Sequence, residues 1–317
     1  MSEEASFAAK KTLLIIGAAD SLMIFGLIAI MIMGRSIHLN EISLNVASSR
    51  GIAIAFVLLS IVAFAKAGAM PVHTWLPDCG QYAPTPVAAY LPASLDKLLG
   101  IYLLARFVKD VFVLNNAMKI FLLALGAFTI IAAVMMALVQ HDAKRLLSYH
   151  AVSQVGYMVM GIGTLNPVGF IGGLFHMLNN AIFKGCLFLT AGSVEHRTGT
   201  TDLDKLGGLA RYMPVTFVAF IISALAISGV PPLNGFFSKW MIYQGIIKLS
   251  GESKLWILWL TCAMFGSALT LASFMKLGHT IFLGVKPDYK KEIKEVNISM
   301  LLPQIFLAGL CLVFGIW

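Results

Sequence analysis

The sequence predicts an all-α, polytopic membrane protein with about nine transmembrane helices, two of them broken. Three observations lead there. Of its 317 residues, 59% are hydrophobic and only 12% are charged, about half the charged share of a soluble domain, and the mean hydropathy is +0.86. Apolar runs long enough to cross a bilayer recur along the whole chain. No segment alternates as a strand does, and a continuous apolar run in lipid must satisfy its backbone internally, as a helix.

Hydropathy and breakers together place the spans near 12–33, 51–72, 85–107, 118–140, 144–164, 168–195, 213–247, 254–283 and 297–317. The first is apolar apart from one acid, Asp20. The second runs to Lys66 and then meets Gly68-Ala69-Met70-Pro71. The third carries the adjacent pair Asp96 and Lys97, which point about 100° apart and so need separate partners. The fourth is uninterrupted. The fifth opens with Ser148, Tyr149, Ser153, Gln154 and Tyr157, which can bond neighbouring helices. The seventh breaks at Gly229-Val230-Pro231-Pro232-Leu233-Asn234-Gly235 and resumes before Lys239. The eighth holds Lys276 near its end, where a lysine snorkels to the interface.

With the N-terminus on one side, that side's loops hold eleven lysines and arginines and the other side's hold seven. The bias puts the N-terminus in the cytoplasm. The basic residues behind the net charge of +8 are scattered over short loops, so no basic face forms and nucleic acid is not an expected partner. Cys79, Cys186, Cys262 and Cys311 are far apart without a CxxC pair, which argues against disulfide and metal roles. The start, MSEEASFAAKK, is acidic before its lysines and does not read as a cleaved signal peptide. No HExxH, nucleotide loop or Ser/His/Asp set occurs. No cofactor, metal or catalytic site is expected.

Five lysines lie inside the spans: Lys66, Lys97, Lys184, Lys239 and Lys276. Each costs about 2.5–3.5 kcal/mol at mid-membrane, while an apolar neighbour returns only about 0.3–0.6 kcal/mol. Such residues are expected to face a protein-lined polar interior. Two of them stand beside the breaks at Pro71 and at Pro231 and Pro232. Proline frees carbonyls at membrane depth, and these survive only where protein or a water-filled cavity shields them. Interrupted helices with charges alongside are a transporter pattern; two proline-kinked packing helices are the plainer reading.

In the sixth span His176, Asn180 and Lys184 recur at i, i+4 and i+8, one face over about 12 Å of depth. Both histidine and a desolvated lysine exchange protons, although the same stripe suits a hydrogen-bonding seam. Asp20 is a natural ion-pair partner for Lys66. His73 and His150 read equally as proton entry groups or as interfacial histidines, and Lys144 and Arg145, beside Asp142, as interface anchors.

Four segments carry a resemblance: AKAGAMPVHTWLPDCGQYAPTPVAAYLPASLDKLLGIYLLAR, ALVQHDAKRLLSYHAVSQVGYM, LFHMLNNAIFKGCLFLTAGSV and SGVPPLNGFFSKWMI. In that order the chain resembles the antiporter-like subunits shared by respiratory complex I, multisubunit sodium/proton antiporters and membrane-bound hydrogenases. The stretch around Asp96 and Lys97 looks more like the hydrogenase branch than complex I. The resemblance implies two inverted repeats, each with a broken helix, joined by a polar axis. Lys66 would be the first broken-helix lysine and Asp20 its neighbouring acid. His176 and Lys184 would sit on the linking helix, and Lys239 at the second break. Asn180 stands where many relatives have a histidine.

The implied organisation is an N-terminal cytoplasmic segment (1–11), a partial first repeat (12–110), a second repeat (111–283), and a cytoplasmic loop with a C-terminal helix (284–317). The helices that usually precede Asp20, one bearing a glutamate for the first lysine, are not in this sequence, so another chain is expected to supply them unless the first channel is degenerate. The expected function is proton or sodium/proton translocation in a multisubunit membrane oxidoreductase of the cell membrane, one of hydrogenase type. Its partners would be other membrane subunits and, indirectly, peripheral redox subunits. A stand-alone antiporter component and a non-pumping structural subunit are the alternatives.

Overall fold

A computed structural model describes residues 3–285, 287, 289 and 293–316, with the side chains of Asn40, Pro92, Ala93 and Asp96 excepted. Asp96, a predicted site residue, therefore lies outside the described side chains, and Lys286, Lys290 and Lys291 of the charge count lie outside the described residues.

The first helix, α1 (Glu3–Gly34), starts earlier than hydropathy placed it. α2 (Arg50–Ala67) is capped by Ser49, whose Oγ accepts the Gly51 N–H at 3.2 Å. It ends where Gly68 turns left-handed at φ 77°, a conformation glycine adopts without steric cost. The chain then crosses Pro71 and resumes as α3 (Trp75–Tyr82). The third span is less regular than expected. It consists of α4 (Thr85–Tyr90), a π turn at Leu91–Leu95, and α5 (Asp96–Arg106), which continues into a second π turn at Phe107–Val111. Pro92 lies in the first of these turns and cannot donate to a regular helix there.

α6 (Asn116–Leu138), α7 (Ala143–Gly163) and α8 (Pro167–Thr198) follow with side-chain caps at each start. Asn115 accepts from Met118 N at 3.0 Å, Asp142 from Arg145 N at 2.8 Å and Asn166 from Gly169 N at 3.0 Å. Pro167 occupies the first turn of α8, where a missing N–H costs nothing. The seventh span divides into α9 (Pro214–Ser228) and α10 (Asn234–Ile247). α11 (Trp256–Gly278), prolonged by a π turn to Leu283, and α12 (Ile298–Ile316) complete the bundle. Two short pairings depart from an all-helical chain among the described residues, one of them an antiparallel bridge between Asp142 and Asp202. Leu44–Asn45 and Phe112–Val113 form a two-residue parallel pair that ties the α1–α2 and α5–α6 connections together.

Among the described residues, five helices are long and apolar enough to cross a membrane: α1, α2, α6, α11 with its extension, and α12. α7 and α8 are as long but more polar, and the reason is their position. From Ala143 to Thr164 every residue of α7 and its end is buried except Arg145 and Tyr149, so α7 is the centre of the bundle. It packs on α3, α6, α8 and α10. Its contact with α6 is backbone to backbone: a Cβ on Gly156 would lie 2.7 Å from the Gly126 carbonyl oxygen. The outward faces are apolar, as on α1 with Leu13, Leu14, Phe25 and Ile32 and on α12 with Ile298, Leu302 and Phe306. Lipid replaces water against such surfaces.

Candidate functional site

The two breaks solve one problem with different donors. Past Gly68, the end of α2 presents its last carbonyls inside the protein. The Trp75 indole Nε1 donates to Ala65 O at 2.9 Å, and Ala69 N to Phe64 O at 2.8 Å. At the second break Gly229 is left-handed at φ 84°. There the Lys239 ammonium donates to Ile227 O at 2.9 Å. Asn179 of α8 clamps the start of α10 by a reciprocal pair: its Nδ2 donates to Asn234 O at 3.0 Å, and Asn234 Nδ2 donates to Asn179 Oδ1 at 3.1 Å. The Met70–Pro71 and Pro231–Pro232 bonds are both cis.

From the second break a polar axis runs through the bundle. Lys239 also donates to Ser267 Oγ at 3.1 Å and stands 4.6 Å from the centre of the Tyr157 ring, a contact worth about 2 kcal/mol when desolvated. Ser267 gathers the Tyr157 hydroxyl at 2.9 Å and the Tyr243 hydroxyl at 2.6 Å. Beside Tyr157, His176 contacts Ser238 Oγ through Nδ1 at 2.9 Å and Gln154 Oε1 through Nε2 at 3.0 Å. With Nε2 protonated and donating to the amide oxygen, a neutral His176 accepts from the serine hydroxyl.

The next group is His150, whose Nε2 meets Ser273 Oγ at 2.7 Å and whose ring lies 4.7 Å from that of Phe274. Lys184 stands 5.6 Å over the same Phe274 and donates to Leu147 O at 2.7 Å. His150 lies within electrostatic reach of both Lys184 and Lys239, and Lys184 within reach of Lys97. Lys97, Lys184, His150, His176 and Lys239 are exposed by 1%, 0%, 0%, 0% and 2%. Four helices, α5, α7, α8 and α10, therefore supply one buried row of groups that can carry protons. Asn180 is buried on the same face of α8 as His176 and Lys184.

Lys66 and Asp20 form an ion pair between α2 and α1, with side chains exposed by 18% and 47%. The structure brings these two together across the α1–α2 contact. Lys276, by contrast, is exposed and donates to Leu138 O at 2.9 Å at the end of α6, which is snorkelling.

The structure decides one open reading, bears out a second and corrects a third. His150 is not interfacial; it is buried in the row because α7 is enclosed on all sides. Gln154 and Tyr157 bond neighbouring helices as expected, and the groups they meet include His176 and Lys239. Lys144 is not a simple interface anchor. Its side chain is 5% exposed, donates to Ala83 O at 3.1 Å and pairs at 3.2 Å with Glu195, which also accepts from Thr85 Oγ1 at 2.8 Å. A signal for the missed residues existed: His150, Gln154 and Tyr157 recur at i, i+4 and i+7, a polar face on α7 matching the one on α8.

With this geometry in view, comparison with known proteins is informative. Residues 1–270 match the model of the NADH:quinone oxidoreductase/Mrp antiporter transmembrane family. The chain belongs to that family. Among NADH:quinone oxidoreductase/Mrp antiporter proteins, it is 35% identical to Na(+)/H(+) antiporter subunit A1 of Staphylococcus haemolyticus, over 98% of this chain and 41% of that protein. It is also 35% identical to hydrogenase-4 component B of Escherichia coli, over 95% of this chain and 48% of that protein. The chain thus spans less than half the length of these relatives. The fold is that of a chain in the Mrp complex from Dietzia sp. (TM-score 0.90, 23% identity, all of this chain and 66% of that one). It matches a chain of the archaeal membrane-bound sulfane sulfur reductase as well (TM-score 0.86, 25% identity, 98% and 52%). Both of these solved structures are multisubunit membrane complexes. Equal identity to an antiporter subunit and a hydrogenase component leaves the hydrogenase branch undistinguished within the NADH:quinone oxidoreductase/Mrp antiporter family.

Proposed function

We propose that the chain is the antiporter-like, ion-translocating unit of a multisubunit membrane complex, moving protons, or sodium against protons, along the buried row. The observation that carries this reading is that Lys97, Lys184 and Lys239, each costly in a membrane, are all buried and lie along a path of histidines and hydroxyls. A scaffold gains nothing from three such charges, which weighs against a purely structural subunit.

In this reading Lys184 and Lys239 exchange protons, while His176 and Lys97 pass them between neighbours. The Asp20–Lys66 pair, with Asp96 on α5, would receive or release charge at the other end. The breaks at Pro71 and at Pro231–Pro232 leave carbonyls free to hold donors, as Ile227 O holds Lys239. Residues 12–110 and 111–283 would act as the two halves of the unit, the first of them a partial repeat, with 284–317 a cytoplasmic loop and closing helix. The N-terminal segment (1–11) would face the cytoplasm of the cell that carries the complex in its membrane.

Partners are other membrane subunits. One membrane segment is expected against α1, where Asp20 is half exposed at membrane depth. In a hydrogenase-like complex, peripheral redox subunits would drive the row indirectly. In an antiporter assembly a sodium gradient would drive it instead, and the same residues serve either source. The test is ion movement in vesicles holding the assembly that purifies with this chain. Lys239→Ala and Lys184→Ala should each abolish coupled transport while assembly persists; normal transport by both variants refutes the role.

A further inference from the structure

On the side of the bundle where α7 hands over to α8, away from the buried row, lies a groove of about 580 Å³. Val108, Leu114, Phe170, Ile171 and Leu174 form its apolar wall, and Lys109 and Asn166 stand at its rim. Its size falls within the range of pockets that enclose one small ligand. From Pro167 to Leu174 the helix advances about 10 Å, about two thirds of one leaflet of a roughly 30 Å hydrocarbon core. With the α7–α8 turn at headgroup level, the groove would run inward along part of an acyl chain.

The rim has one sign of available charge. Lys109 is exposed. The neighbouring Asp110 is turned to Arg106, pairing with its Nε at 2.5 Å, so it does not oppose an incoming anion. Asn166 is spent on structure: it caps α8 and donates to Gly245 O at 2.8 Å. Leu165, at φ 55°, holds a left-handed conformation that a branched side chain rarely adopts. Such strain, about 1–3 kcal/mol, persists where the surroundings fix it, and here it places the leucine in the groove lining.

We propose that this groove is a binding site for one anionic glycerophospholipid, an acyl chain lying along Phe170, Ile171 and Leu174 and the phosphate at Lys109. The charge at the rim selects an anionic lipid over a zwitterionic one, and the apolar wall selects a lipid over a free phosphate.

The test is native mass spectrometry of the purified full chain, and of the assembly it purifies with, after exchange into phosphatidylglycerol, phosphatidylcholine or glycerol phosphate. Phosphatidylglycerol should be retained about fivefold more than phosphatidylcholine, and Lys109→Glu should erase that preference. Leu174→Trp, which fills the wall while sparing the rim, should reduce retention of both lipids. Equal retention of the two lipids by the parent, retention of glycerol phosphate as strong as that of the lipid, or a groove that takes no lipid because a protein helix covers it would each overturn the proposal.

Discussion

Replacing Lys239 separates a lysine that works by exchanging a proton from one that only holds the second break together. In Lys239→Met the bonds to Ile227 O and Ser267 Oγ are lost, each worth about 1.5–3 kcal/mol for a charged donor. The contact with the Tyr157 face goes as well, about 2 kcal/mol. Against this gross loss of about 5–8 kcal/mol, an ammonium no longer has to be kept out of water, which returns several kcal/mol. Ser267 keeps both tyrosine hydroxyls, so only Ile227 O is stranded, at about 1–3 kcal/mol. The net change is expected to stay within about 2 kcal/mol of the parent. Transport should nevertheless fall by about a hundredfold or more, the range over which a lost proton-transfer group is felt. Lys239→Arg sharpens the comparison, because a guanidinium keeps the charge and does not release its proton. Thermal shift in detergent reads the stability, and quenching of a pH-sensitive dye in vesicles reads transport. An arginine variant that transports at the parental rate refutes proton exchange at this position, and a methionine variant that does so removes Lys239 from the path.

Two further predictions concern the scaffold. Asn179→Leu removes both bonds of the reciprocal clamp and strands the Asn234 side-chain amide, while the Asn234 carbonyl keeps Ser238 Oγ at 3.4 Å; a loss of about 1–3 kcal/mol is expected in thermal unfolding, with faster proteolysis of the 229–234 loop. The Lys144–Glu195 pair should respond asymmetrically. Glu195→Ala leaves a buried ammonium with only Ala83 O and costs about 2 kcal/mol, whereas Lys144→Met leaves a partly hydrated carboxylate and costs about 1 kcal/mol or less; equal losses in chemical denaturation would show that the pair is not divided between interior and rim.

Much of this fold was legible because its causes are local. Bilayer length, proline and glycine set the helix ends, and Gly68 and Gly229 turn where the breaks were read. The intramembrane lysines stood out for the same reason, each being a large cost written at one position. What escaped the sequence was pairing across distance. Trp75 reaches Ala65 O and Lys144 reaches Glu195, 51 residues away, and neither contact leaves a periodic trace. His150 stayed open between entry group and interface because its position near the start of a span suits either, whereas α7 is enclosed by helices distant in sequence. The regularity expected of the third span failed at Leu91–Leu95, where Pro92 leaves a π turn in place of a continuous helix.

The partners of the buried lysines divide them into two kinds. At the rims, Lys11 pairs with Asp78 at 2.7 Å and Lys144 with Glu195, so each faces a carboxylate. In the row, Lys184 rests on a backbone carbonyl, and Lys239 on a carbonyl and a hydroxyl. Those acceptors serve a neutral amine as well as an ammonium, since both donate hydrogen bonds. Lys66 stands between the two kinds: its partner is an acid, but an acid half open to its surroundings. If exchange depends on the kind of partner, converting one partner should stop it. Ser267→Asp places a carboxylate about 3 Å from the Lys239 ammonium, an attraction of about 5 kcal/mol at the effective dielectric of a protein interior. Transport should then cease even though the lysine is intact. Ser267→Ala deletes the hydroxyl without adding charge and leaves Ile227 O in place, so it should retain transport within about tenfold of the parent, the equivalent of one neutral hydrogen bond. An aspartate variant that transports as well as the alanine variant would mean that the ammonium at this position never needs to let go of its proton.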